Sequence, residues 1–100
     1  MATTTFKYMH YEGVSVSSGA YVSSARIQFG FDADTIILYN ATDSAKVFFS
    51  FNGADDHGLV GSSANNFNPR TLHLKSEKDI WLRLDSGSAQ TVHVEAMRNS

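Results

Sequence analysis

Residues 25–52 read ARIQFGFDADTIILYNATDSAKVFFSFN, and the rhythm of this stretch sets the fold class. From Ala25 to Phe31 apolar and polar residues alternate, with Ile27, Phe29 and Phe31 on one side and Arg26, Gln28 and Gly30 on the other. Successive side chains of an extended chain point to opposite faces, so this period marks a half-buried strand. After the turn-like Asp32-Ala33-Asp34, a second strand is expected over Thr35 to Asn40. The polar loop Ala41-Thr42-Asp43-Ser44 then joins it to Ala45 to Asn52 as a hairpin. In that pairing Leu38 lies opposite Phe49 and Ile36 opposite Phe51, while on the reverse side Tyr39 meets Phe48 and Ile37 meets Ser50. Both faces are then apolar, and the outer one needs covering by a loop, a neighbouring subunit or a partner protein.

The alternation continues in both directions. Thr5 to Tyr11 sets Phe6, Tyr8 and His10 against Lys7, Met9 and Tyr11, and a Ser- and Gly-rich patch from Glu12 to Ser24 holds a short strand at Gly13 to Ser17. Three runs, Arg70 to Lys75, Lys78 to Leu84 and Gln90 to Met97, fill the C-terminal third. The loop Asp85 to Ala89 predicts a hairpin of the last two, with Leu82 opposite Val94, Trp81 opposite Glu95 and Arg83 opposite His93. Between Gly53 and Pro69 the pattern breaks into Gly, Asp, Asn and Ser, with Leu59, Val60 and Phe67 as apolar anchors. A loop of that length is usually functional, disordered or interrupted by a short strand, and this one is expected to be functional or to cover the outer face of the hairpin. Roughly seven to nine short strands predict an all-β, antiparallel two-layer sandwich of jelly-roll type, with a small barrel as the alternative.

The 100 residues fit one domain spanning 1–100, with residues 1–5 as an N-terminal arm and 53–69 as the long loop. There is no cysteine, so the chain has no disulfide framework, thiolate metal site or thiol nucleophile. A net charge of -2, without a run of either sign, argues against nucleic acid as a partner. No stretch approaches the roughly 20 apolar residues of a membrane span, and the N-terminus lacks a signal-peptide pattern. Charged residues make up only 18% against 42% apolar, a weakly charged balance suited to surfaces covered by protein.

Catalytic signatures are missing. Gly61-Ser62-Ser63-Ala64-Asn65 is no nucleophile elbow. A triad of Ser76, His73 and Asp79 has no local signature, and no glycine pattern forms a phosphate cradle. His10, His57, His73 and His93 are never two or four apart; a site from His73, His93 and Glu95 is weighed against ordinary strand histidines, which are preferred. Asn52, Asp55 and Asp56 read better as an Asx-stabilised turn than as a calcium loop. Asn40-Ala41-Thr42 has the form of a glycosylation sequon and is taken as coincidental. No catalytic, cofactor or metal residue is assigned. The aromatic groups carry more: Ile37, Tyr39 and Phe48 on one face, and Trp81, Arg83, His93 and Glu95 on another, are the candidate interface residues, with residue types that suit protein hot spots or sugar stacking.

The stretches DTIILYNATDSAKVFFSFNG (34–53), the His57-Gly58 loop and RTLHLKSEKDIWLRLDSGSAQTVHVEA (70–96) resemble small structural proteins of tailed bacteriophages. The resemblance implies a β-sandwich acting as a homo-oligomeric virion component, with the major capsid protein as the expected partner. It carries no residue-level site. On these grounds the chain is expected to be a capsid decoration (cement) protein, with a neck, tail or fibre component, or a carbohydrate-binding module taking a glycan, as alternatives.

Overall fold

A computed structural model describes residues 8–61 and 68–98. The expected N-terminal arm, Phe6 and the Phe67 anchor lie outside the described residues. The strands are β1 (Tyr8–Val16), β2 (Arg26–Asn40), β3 (Val47–Ser50), β4 (Gly58–Val60), β5 (Arg70–Leu84) and β6 (Gln90–Arg98), with one 3-10 turn at Ser23–Ala25. They form one open antiparallel sheet in the order β1-β6-β2-β5-β3-β4. The all-β antiparallel expectation therefore holds at that level.

Six strands among the described residues replace the larger number expected, because neighbouring runs fuse. Asp32-Ala33-Asp34 is not a turn. β2 runs through it, with register shifts against β5 between Gln28 and Ala33 and again between Ala33 and Thr35. Such irregularities bend a strand without ending it, and Gly30 takes the positive φ of 82° that a side chain would resist. The break also turns the strand over: β2 buries Ile27, Phe29 and Ala33 before it and Ile36, Leu38 and Asn40 after it. Arg70 to Lys75 and Lys78 to Leu84 likewise join into β5.

Neither expected hairpin forms. Leu38 pairs with Arg70 and Val94, whereas Phe49 pairs with Leu82 and Gly58. Trp81 pairs with Arg26 and Ser50, Arg83 with Phe48, and β6 pairs with β1 and β2. The loop after β2 crosses past β5 to reach β3, and the loop after β5 crosses back past β2 to reach β6. They run beside each other, joined by Asp85 N–H to Lys46 O (3.1 Å), while Ala41 N–H to Thr91 O (2.8 Å) ties the start of the first to β6.

Buried amides at the strand ends hold these loops in place of tight turns. Asn40 Oδ1 accepts from the N–H groups of Thr42 and Asp43, while its Nδ2 donates to Ala45 O. Asn68 bonds both the N–H and the C=O of Asn40, extending the ladder where β5 has not yet begun. Asn40 is fully buried, which removes it as a glycan acceptor. Below the loops lies a single apolar cluster to which all six strands contribute, from Val16 in β1 to Val60 in β4. Ile36, Leu38, Ile80, Leu82, Val92 and Val94 have no exposed surface, and each such side chain contributes about 1.5–3 kcal/mol of burial.

Candidate docking faces

The sheet regroups the residues singled out from sequence into two outer faces. On the first, β6 sets His93 beside Tyr39 of β2 and Gly13 of β1, and Glu95 beside Ile37 and Tyr11. Ile37, Tyr39, His93 and Glu95 are thus neighbours, while Trp81, Arg83 and Phe48 are elsewhere. The His93 ring stacks between two tyrosines: Tyr11 at 5.7 Å between centroids and 12° between planes, and Tyr39 at 6.4 Å and 22°. The Tyr11 hydroxyl is hydrogen-bonded to His93 Nδ1. Gly13 makes the arrangement fit, since a Cβ there would come within 3.3 Å of that same nitrogen. Met9 (60% exposed), Tyr11 (58%) and Tyr39 (46%) remain open to solvent. Met9 and Tyr11 were visible in the sequence as one side of the first alternating run, but nothing local says which side of an edge strand faces outward.

The second face joins β2, β5 and β3. Arg26 lies over Trp81 at 4.9 Å and pairs with Asp79 at 2.5 Å. Trp81 is bounded also by Gly53, where a Cβ would come within 3.0 Å of the indole. The tryptophan is therefore lined by Arg26, on the strand beside it, and not by Arg83. Arg83 lies over Phe48 at 4.4 Å and grips Asp56 through Nε (2.9 Å) and Nη2 (2.6 Å). Tyr21 donates its hydroxyl to Asp56 as well. Tyr21 sits in the Ser-rich patch, where no periodicity marks it.

Residues 52–57 form an Asx-stabilised turn, with Asn52 Oδ1 accepting from the N–H groups of Ala54 and Asp55. The Arg83–Asp56 pair fastens this turn to β5. Hydrogen bonds from Arg83, then from Tyr21, hold the Asp56 carboxyl down at about 2, below the ordinary 3.8. Burial, reinforced by Asp56, pushes the Tyr21 hydroxyl up. A depressed folded-state carboxyl contributes stability that is fully present above its unfolded value and lost as pH falls through the folded one. Trp81, the only tryptophan, is therefore expected to change fluorescence as pH falls from about 4 to 2. Asp56→Asn is expected to remove that transition, and an unchanged acid profile in this variant would contradict the clamp.

The other constellations do not assemble. His73, Ser76 and Asp79 succeed one another along extended β5 at intervals of roughly 10 Å, too far for a hydrogen-bond relay. His73 and His93 lie on strands separated by β2, facing Thr35 and Tyr39, which sets them roughly 16 Å apart. Among the described residues no group of three or more His, Asp or Glu side chains is placed to hold a metal ion. An open cleft of about 440 Å³ at the β2 irregularity is lined by Arg26, Gln28, Gly30, Phe31, Asp32, Lys78 and Asp79, and two of its charges already pair with each other. The chain matches no protein-family model and no curated protein sequence.

Proposed function

We propose that this domain is a non-enzymatic assembly module whose outer β1–β6–β2 face docks onto another virion protein. The major capsid protein is the proposed partner, which makes the chain a capsid decoration protein located in the virion. The observation that carries this is the exposed group of Met9 and Tyr11 on β1 and Tyr39 on β2, on one face and bridged across β6 by His93. Rigid aromatic side chains on a weakly charged surface are the composition of interface anchors. The sequence resemblance supplies the virion. In the same proposal the sheet folds over as a two-layer sandwich, supported by β2 having β6 as a second neighbour only from Thr35 to Asn40 and β5 having β3 only from Trp81 to Leu84.

A glycan-binding module is the second reading, favoured by the open Tyr11 and Tyr39 rings, since Trp81 is already stacked by Arg26. Co-sedimentation with emptied capsids of the same source tests the first. Tyr11→Ala with Tyr39→Ala is expected to weaken binding by ~10-fold or more. Wild-type protein that stays in the supernatant, or a double variant that binds as well as wild type, overturns it. Retention on a glycan array that these substitutions abolish would favour the second reading.

A further inference from the structure

We infer that β1 is a self-association edge, through which two copies pair antiparallel about a two-fold axis at Tyr11. This rests on the domain being an assembly module and names one of its partners, a second copy of the chain. The two edges of the sheet differ. β4 is three residues long, whereas β1 pairs with β6 from Tyr8↔Arg98 to Val16↔Gln90 without a register shift. Among the described residues no strand pairs with the other side of β1. Natural edge strands are blunted by shortness, proline, bulges or charged side chains, and of these β1 has only Glu12, which faces His10 of the other copy in the pairing about Tyr11.

The sequence of β1 then selects the occupant and the register. A two-fold axis normal to the sheet keeps outer faces with outer faces, so only registers centred on a residue preserve the sidedness of both copies. Centring on Glu12 sets Glu12 against itself, and centring on His10 sets His10 against itself. Centring on Tyr11 places His10 of each copy opposite Glu12 of the other, twice over. The two groups are compatible, since His10 Nε2 and Glu12 Oε1 already lie 3.0 Å apart within one chain. In the same register Tyr11 faces Tyr11 as a cross-strand aromatic pair, and Met9 faces Gly13, over which the His93 ring lies. The exposed Met9 and Tyr11 thereby gain neighbours, and the outer faces of the two copies become continuous.

Sedimentation of the full chain without capsids tests the pairing. Wild type is expected to populate a dimer at ~100 μM, as a Kd of ~10 μM would give. His10→Glu and Glu12→Lys are each expected to weaken the homodimer by ~10-fold or more, the first because carboxylates then face each other across the axis and the second because His10 loses its carboxylate acceptor and meets an ammonium donor. Their mixture is expected to regain association. In the mixed pair the carboxylate introduced at position 10 of one variant faces the ammonium introduced at position 12 of the other, and the native Glu12 of the first faces the native His10 of the second. Circular dichroism confirms that each variant is folded. In this cysteine-free chain Tyr11→Cys is expected to cross-link under mild oxidation and Ser15→Cys to remain monomeric. A monomeric wild type, a mixture no tighter than its components, or cross-linking at Ser15→Cys in place of Tyr11→Cys overturns the inference. None of these outcomes bears on capsid docking, which is read separately.

Discussion

Gln90→Leu is expected to destabilise the domain by about 3–5 kcal/mol, a large part of the roughly 5–15 kcal/mol that holds a small domain together. Gln90 is fully buried and uses every hydrogen-bonding position of its amide. Its Oε1 accepts from Ser44 N–H (3.0 Å), Ala45 N–H (3.2 Å) and Asn40 Nδ2 (3.1 Å). Its Nε2 donates to Ser44 Oγ (2.9 Å), Ser88 O (2.9 Å) and Ala89 O (3.2 Å). Leucine matches the bulk of glutamine but leaves two backbone N–H groups of the first crossover and two carbonyls of the second without this partner, at about 1–3 kcal/mol for each group that water does not reach. Both crossovers lose their shared anchor at once. Urea denaturation measures the loss, and a midpoint within error of wild type would show that the amide network does not hold the crossovers.

Gly58→Ala is expected to cost about 2–3 kcal/mol, far more than an alanine in an ordinary strand. Gly58 is paired with Phe49, and a Cβ at Gly58 would stand 2.5 Å from Cζ and 2.8 Å from Cε2 of that ring. Phe49 is only 2% exposed and belongs to the shared apolar cluster, so the ring cannot swing into solvent. Relief must come from β4 moving outward or from the core repacking. Phe49→Leu removes the colliding atoms at the cost of a smaller core side chain. The double variant Gly58→Ala/Phe49→Leu is therefore expected to lose less stability than the sum of the single losses. Strict additivity would show that the glycine is needed for some other reason.

The sequence carried the strand character and most of the inward-facing residues, because alternation reports directly on which side of a strand meets the core. Ile27, Phe29, Leu82 and Val94 were legible in that way. Partners were not. The polar loops after Asn40 and after Leu84 have the composition of hairpin turns, yet what decides their path is a pair of buried amides, Asn40 and Gln90, fifty positions apart and each unremarkable among its neighbours. Gly30 read as one more residue on the polar side of a strand, although it takes a positive φ within the irregular stretch of β2 that ends in the reversal of faces between Ala33 and Ile36. The structure groups the candidate interface residues differently, since both groupings followed from hairpins that do not form. Trp81 depends on Arg26, and Arg83 on Asp56 and Tyr21. Such long-range pairs leave no local trace.

The position of β6 between β1 and β2 bears on how the chain reaches this structure. A polypeptide emerging from its N-terminus can pair β2 with β5 and β5 with β3 as soon as residue 84 is available, but β1 must wait for residues 90–98. Its closure spans nearly the whole chain, and non-local pairings of this kind place all-β domains in the millisecond-to-second range of folding times. Until β6 inserts, β1 has no partner and β2 keeps an open edge. A chain shortened before residue 90 would therefore lose β6, leave β1 unpaired and expose a hydrogen-bonding edge on β2, which makes late truncation a route to aggregation.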